Sequence, residues 1–259
     1  MAEPLVRLQR DGEIATVTLA RAAKLNSLTP AMLDQLERIA RELDADTGVR
    51  VVVLTGEGEK AFCVGADINE WAALQPLDMW RRWVRRGHQV FDQWARLRQP
   101  VVAAINGHAF GGGLELALTA DIRVSVPHAG FALPEASIAT CPGWSGTQRL
   151  VQLVGASRAK YLALSGHRLS AAQALAGGLI HEIADEVPLA DRVHEVASAL
   201  AAKAPVSLQL TKQLINAAAG EDAAATLEAM AGALAATTDD AAEGIASFRD
   251  KRPARYAGR

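Results

Sequence analysis

Cysteine is nearly absent from these 259 residues, and the little there is excludes a metal or disulfide framework. Cys63 and Cys141 form no ligand spacing, sit in apolar or Gly/Pro surroundings, and read as small buried thiols of a reducing compartment. An excess of charge is missing as well. Lys and Arg total 27 against 29 Asp and Glu, a net of -2, which leaves no electrostatic footprint for nucleic acid or an anionic membrane surface. Any anionic ligand must therefore be met by a local patch. Met1 to Gln9 holds no long apolar run, so neither a signal peptide nor an anchor is expected, and the expected location is the cytoplasm. Internal repeats and low-complexity linkers are also lacking. Half of the residues are hydrophobic and 22% charged, an ordinary globular balance, in a chain long enough for one large domain or two small ones with a substantial core.

What is present in unusual concentration is the apolar, glycine-rich stretch from Val101 to Asp121. Val101 to Ile105 predicts a buried strand, continuously apolar and largely β-branched, and Leu114 to Ala120 predicts a buried helix. Between them lie Gly107, Gly111, Gly112 and Gly113. A glycine turn feeding a helix lets backbone approach a ligand closely and leaves first-turn N–H groups aimed outward, a geometry suited to an oxyanion or a phosphate. No G-x-G-x-x-G is formed and no Lys-Ser/Thr follows, which weakens the phosphate reading. A membrane span is disfavoured by Asn106, His108 and Glu115 within it. An ordinary buried strand, turn and helix remains open. Against it stands Glu115, a carboxylate just past three glycines and followed by Leu-Ala-Leu, which would be buried at considerable cost unless paired or put to use.

Taken in order, Glu13 to Leu19 alternates as a strand with one apolar face, Thr29-Pro30 signals a helix start, and Met32, Leu33, Leu36, Ile39, Ala40 and Leu43 follow at helical spacing. Arg50 to Thr55 reads as a strand apolar on both faces, joined to the first by a crossover connection. Ala61 to Ile68 reads as a buried loop. Trp80, Trp83, Val84, Phe91 and Trp94 recur at helical spacing among arginines, predicting an amphipathic helix with its aromatics in the core rather than a base-stacking surface. Asp121 to Val126 reads as a strand, and Ser170 to Gln173 as a capping box. Helices are predicted over Leu189 to Lys203, Pro205 to Ala219, Glu221 to Ala236 and Asp239 to Asp250.

Glu135, after Pro134, could simply cap a turn. Gly143-Trp144-Ser145-Gly146-Thr147 has a superficial likeness to a G-x-S-x-G nucleophile turn. Its last glycine is displaced, no strand leads into the serine, and nothing fixes His108, His128 or His167 beside it, so a hydrolase triad is not expected.

The run Asn106-Gly107-His108-Ala109-Phe110-Gly111-Gly112-Gly113-Leu114-Glu115-Leu116 resembles the signature of the enoyl-CoA hydratase/isomerase (crotonase) superfamily. The likeness extends from Arg21 to Leu28, through the Phe-x-x-Gly-x-Asp pattern of Phe62, Gly65 and Asp67 and the Pro134-Glu135 and Pro142 to Leu150 segments, to Phe248 to Arg252. It implies an α/β fold, a crotonase (ClpP-like) spiral of β-β-α units over residues 1–190, with a helical trimerisation part over 191–259 and assembly as a trimer or a dimer of trimers. It implies Glu115 and Glu135 as the catalytic pair, the backbone N–H groups of Ala66 and Gly112 as an oxyanion hole, and acyl-CoA contacts from Ala23, Lys24, Leu25, Asp67, Ile68, Gly143, Phe248 and Lys251. The order Ala23-Lys24-Leu25-Asn26 departs from the family's common Lys-Ala-Leu-Asn, and Trp144 and Ser145 stand where small residues often sit, the tryptophan narrowing the acyl pocket. The implied reaction is reversible syn addition of water to a trans-2-enoyl-CoA, with an enoyl-CoA isomerase and a non-catalytic CoA- or RNA-binding member as alternatives. It implies no metal, no cofactor beyond the substrate's own coenzyme A, and no nucleic-acid or membrane partner.

Overall fold

Residues 4–259 are described in a computed structural model of the chain; Met1 to Glu3, the start of the stretch read as leader-free, lie outside the described residues. Val6–Asp11 (β1) pairs antiparallel with Ile14–Leu19 (β2), Val6 opposite Leu19. The alternation in β2 buries Ala15, Val17 and Leu19, whereas β1, mostly polar and without a legible pattern, is held by its pairing and was not expected. Pro30–Ala45 (α1) starts as the Thr29-Pro30 pair predicts. Thr29 is extended, its Oγ1 accepts the Met32 N–H at 3.2 Å, and Pro30 takes the first helical position, where its missing N–H costs nothing. Met32, Leu33, Leu36, Ile39, Ala40 and Leu43 form the buried stripe. At roughly 1.5–3 kcal/mol for each large side chain, this stripe seats the helix on the sheet.

Three strand pairs build the body of the first unit: Val51–Gly56 (β3) with Ala61–Cys63 (β4), Val101–Ile105 (β5) with His108–Phe110 (β6), and Ile122–Ser125 (β7) with Gly130–Ala132 (β8). In each pair the first strand joins one sheet and the second joins another. The six-stranded sheet has the order β1-β2-β3-β5-β7-β10, parallel from β2 onward, and the four-stranded sheet has the order β4-β6-β8-β9. Here β9 is Leu169–Ser170 and β10 is Glu182–Ile183. Helical segments follow the pairs: Ile68–Trp71 (α2), Pro76–Asp78 (α3), a π turn over Met79–Val84 and Arg85–Ala95 (α4) after β4, then Gly112–Ala117 (α5) after β6. After β8 come a 3-10 turn at Glu135–Ile138 and Gly146–Ser165 (α6), then Ala171–Ala176 (α7) and Leu189–Ala201 (α8). The result is the expected spiral of β-β-α units.

Strands β3 and β5 are buried on both faces, as their unbroken apolar runs required. One face, with Val52, Leu54, Val101 and Ala103, packs in a core shared with α1, while Val51, Val53, Val102 and Ala104 pack with Val193, Ala197 and Ala201 of α8. Since α8 covers this sheet, the first unit runs to Gln209 and the second is Leu210–Arg259, a later division than the expected 190/191. The division falls within Pro205–Ala218 (α9). The second unit contains Ala223–Ala236 (α10) and Asp239–Asp250 (α11), the latter capped by Thr238, whose Oγ1 accepts the Ala241 N–H at 3.1 Å.

Two further expectations are corrected. Trp83, Phe91 and Trp94 are buried, but Trp80 is 62% exposed, because the wider π turn rotates its side chains relative to an α-helical count. Cys63 is buried with its thiol pushed up to about 12 by that burial, whereas Cys141 is exposed, lying in irregular chain beyond the 3-10 turn rather than in a core. Helix α6, not anticipated from the sequence, is broken at Gly155, which takes φ 76° and ψ 157°. Among the described residues no helix is long and apolar enough to cross a membrane.

Candidate active site

A cavity of about 270 Å³ in the first unit is lined by Val64, Gly65, Ala66, Gly111 and Gly112 and by Glu115, Glu135, Trp71, Met79, Trp83, Val84 and Trp144. A roomier open groove of about 630 Å³ between α1 and α4 includes Glu37, Arg41, Asp44, Asp92 and Arg96. The acids Glu37 and Asp92 there are held below the ordinary carboxylate range, Glu37 by its hydrogen bond from Arg86 and Asp92 by Arg149 and Ser145 against the opposing effect of burial. The smaller cavity is different: both of its carboxyls are pushed upward.

The sheet switch between β5 and β6 delivers the glycine turn to this cavity. Asn106 ties the crossing point, its Oδ1 accepting the Gly56 N–H at 3.1 Å and its Nδ2 donating to the Gly58 carbonyl at 2.6 Å. Gly111 then takes φ 52° and ψ -130°, and a Cβ on it would lie 2.9 Å from Glu135 Oε1. A Cβ on Gly112 would lie 2.9 Å from the Trp144 ring. Side chains are thus excluded at both positions. Gly112 opens α5, so its N–H has no partner within the helix. Ala66 forms a parallel bridge with Leu28 through bonds that use its neighbours: Leu28 N–H donates to Gly65 O and Asp67 N–H donates to Leu28 O, each at 2.8 Å. That pattern turns the Ala66 N–H away from the bridge. Both expected oxyanion donors therefore border the cavity.

Glu115, on α5, is only 2% exposed. Its Oε1 accepts N–H groups of Trp144 and Gly146, each at 2.9 Å, and a Cβ on Gly146 would sit 2.6 Å from that oxygen. Burial raises its carboxyl, and the backbone donors at Trp144, Gly146 and Gly143 oppose the rise. Glu135 opens the 3-10 turn after β8, and its Oε2 is buried without a hydrogen-bond partner among the described residues. Its carboxyl is pushed up to about 7, first by burial and further by Glu115, against a bond from its own backbone N–H. Two acids in one cavity thus stand on unequal footing. Hydrogen-bond donors favour the carboxylate at Glu115, and their scarcity favours the acid at Glu135.

Of the other expected residues, Ile68 and Gly143 line the cavity. Asp67 is committed elsewhere, its carboxylate paired with Arg21 at 2.6 Å and capping α2 through Asn69 N–H at 3.1 Å. Ala23 and Lys24 lie exposed in the 3-10 turn Ala22–Lys24, and Leu25, which ends it in the left-handed conformation, lines an open pocket with Glu57, Gly58 and Lys60. Phe248 and Lys251 belong to the second unit, Phe248 exposed and Lys251 left-handed at the end of α11. Trp144 is buried, with ring centroids of Trp83 and Phe91 each 5.2 Å from its own, and it lies where any side chain at Gly87 of α4 would collide with it. Sequence reasoning missed His88. It, and none of His108, His128 or His167, stands beside Ser145, with Nδ1 3.0 Å from Oγ. The i, i+4 spacing of His88 and Asp92 was the available signal. The Ser145 hydroxyl itself donates to Asp92 at 2.9 Å, an arrangement unlike an activated nucleophile.

A family model described as Enoyl-CoA hydratase/isomerase matches residues 9–259. A short-chain-enoyl-CoA hydratase from Clostridium acetobutylicum is 36% identical over 249 residues, 95% of each chain. An (E)-benzylidenesuccinyl-CoA hydratase from Thauera aromatica is 34% identical over 258 residues, 98% of this chain and 99% of that one. The crystal structure of an enoyl-CoA hydratase from Bacillus anthracis superposes with a TM-score of 0.82 at 35% identity, covering 98% of this chain and all of the other. With its glycine turn and paired glutamates meeting in one cavity, and its likeness to these proteins along almost its whole length, the chain belongs to the enoyl-CoA hydratase/isomerase family.

Proposed function

We propose that the chain is an enoyl-CoA hydratase, adding water reversibly and syn across a trans-2-enoyl-CoA to give the 3-hydroxyacyl-CoA. The observation that carries this reading is the unequal hydrogen bonding of two carboxyls in one cavity, Glu115 with backbone donors and Glu135 with a buried, unpartnered oxygen. Hydration needs one base and one acid on the same water, and this pair supports both roles. Glu115 takes a proton from the water as its oxygen bonds to C3; the double-bond electrons pass into a thioester enolate, and Glu135 gives its proton to C2. The N–H groups of Ala66 and Gly112 hold the enolate oxygen, a contribution worth roughly 10²–10³-fold per donor. The reading calls for no metal and no cofactor beyond the coenzyme A of the substrate.

In the same proposal the coenzyme lies along Ala23, Lys24 and Leu25, with contacts from Ile68 and Gly143 toward the acyl end. Phe248 and Lys251 reach a coenzyme held by a neighbouring subunit of a trimer or dimer of trimers in the cytoplasm. Asp67 acts there through the loop it braces. An isomerase would need the same oxyanion hole with one carboxylate, and the presence of two favours hydration. A panel of trans-2-enoyl-CoA thioesters, followed by loss of the enone absorbance, tests the proposal. Double-bond migration without hydration at any chain length would replace it with the isomerase reading.

A further inference from the structure

Two of the backbone donors to Glu115 come from the residues on either side of Ser145, and Ser145 is held in an uncommon conformation. It takes φ 71° and ψ 8°, the left-handed region, as the residue preceding α6, and it is 4% exposed. That backbone turn aims the N–H groups of Trp144 and Gly146 at the same oxygen, Glu115 Oε1. The side chain faces another way. Its hydroxyl donates to Asp92 Oδ1 on α4 at 2.9 Å, and His88 Nδ1 lies 3.0 Å from the Ser145 Oγ. Asp92 also accepts from Arg149, on the first turn of α6, at 2.9 Å.

We propose that Ser145, anchored to Asp92, is a positioning residue that aims two backbone donors at Glu115 and so couples the general base to α4. This rests on the reading of Glu115 as that base. The physical case is that a left-handed non-glycine residue persists only where its surroundings hold it. Here the holding bond is charge-assisted and nearly buried, and Asp92 is fixed in turn by a buried arginine. Burial alone would raise the Asp92 carboxyl, but hydrogen bonds from Arg149 and Ser145 more than offset it, so the anchor stays ionised at neutral pH. The charged groups that bear on Glu115 are Glu135 from the 3-10 turn and Arg149 from α6. Those that bear on Asp92 are Arg149 from α6, His88 from its own helix, Arg96 at that helix's end, and Glu37, Arg41 and Asp44 from α1 across the open groove.

The sign of the effect follows from the donors. They stabilise the Glu115 carboxylate, so slackening them raises the pH at which the base becomes ionised. Ser145→Gly is the informative variant, because glycine adopts the left-handed conformation freely and keeps the fold while removing the anchor. Asp92→Asn removes the charge from the other end. Hydration kinetics against pH, thermal unfolding, and a ¹³C NMR titration of the Glu115 carboxyl are measured for the parent, both variants and their combination. Expected are an unfolding temperature near that of the parent for Ser145→Gly and a lower one for Asp92→Asn, which leaves the buried Arg149 without its carboxylate, and, for both, kcat lowered at least tenfold with KM within threefold, an acid limb moved to higher pH, and a matching move of the Glu115 midpoint. The double variant should be little worse than either single one. The proposal is overturned if Ser145→Gly keeps the parent's kcat, or if the Glu115 midpoint does not move. Absence of hydration in the parent would instead sink the hydratase reading, and the titration, which needs no turnover, would still decide the role of Ser145.

Discussion

Replacing Glu135 by glutamine should weaken catalysis and strengthen the fold, and the second effect should grow as pH rises from about 4.5 to about 7 and stay full above it. In the folded chain its carboxyl is pushed up to about 7 from 4.5. A folded-state value above the unfolded one means that the folded protein holds this proton while the unfolded chain has released it. The stability contributed is full below about 4.5, declines as pH rises, and is lost once pH passes about 7. The rise from 4.5 to about 7, at about 1.4 kcal/mol for each tenfold change in proton affinity, sets an upper bound of about 3.5 kcal/mol. Between pH 5 and pH 9 about 2–3 kcal/mol of that should develop, because the unfolded carboxyl is already partly ionised at pH 5. Glutamine never ionises, so Glu135→Gln escapes the penalty. Its own cost, an amide end placed where Oε2 now has no partner, is independent of pH and cancels when the two conditions are compared. Urea unfolding of parent and variant at pH 5 and pH 9, at one protein concentration, measures this double difference. Stabilisation should be about 2–3 kcal/mol larger at pH 9, roughly 4–12 °C in unfolding temperature for a chain of this size. A difference within 1 kcal/mol of zero would show that Glu135 does not hold a proton in the folded state, and the assignment of the acid would fall with it.

Other outcomes follow from the same geometry. Glu115→Gln and Glu135→Gln should each slow hydration by roughly 10²–10⁴-fold with KM little changed, and the double variant should lose far less than the product, as steady-state kinetics would show; either single variant within tenfold of the parent would refute the two-carboxyl mechanism. Gly87→Ala, which in an exposed helix interior would gain about 1 kcal/mol, should instead lower the unfolding temperature and hydratase rate, since its Cβ collides with the Trp144 indole behind the cavity. Deleting residues 239–259 removes α11 with Phe248 and Lys251 and should lower both trimer assembly and CoA affinity in sedimentation and calorimetry; a fully active truncated oligomer would count decisively against that placement.

Much of the scaffold was legible because its causes are local. Thr29-Pro30 starts α1 through a single cap and a locked φ, and the unbroken apolar runs of β3 and β5 demanded a sheet covered on both faces. Glu115 was conspicuous as a carboxylate stranded in an apolar helix, whereas Glu135 acquired its meaning from resemblance. Local pattern failed where packing chose among equivalent options. Polar β1 became a strand by pairing, Cys141 was left exposed, and the π turn rotated Trp80 outward.

The sequence by itself determined β2, β3, β5 and β7, the cap of α1, the glycine turn and the stranded carboxylate of Glu115, since each depends on residue type and spacing within a few positions. The tertiary structure alone decided how Glu115 and Glu135 differ. The donors to Glu115 come from Trp144 and Gly146, about 30 residues further along the chain, while Glu135 is buried beside it with one oxygen unpartnered. Proton affinity is set by burial, by charges close in space and by which N–H groups point at which oxygen. Those are properties of approach between distant segments, and the same holds for Ser145, whose anchor on α4 lies 53 positions away in sequence and 2.9 Å away in space.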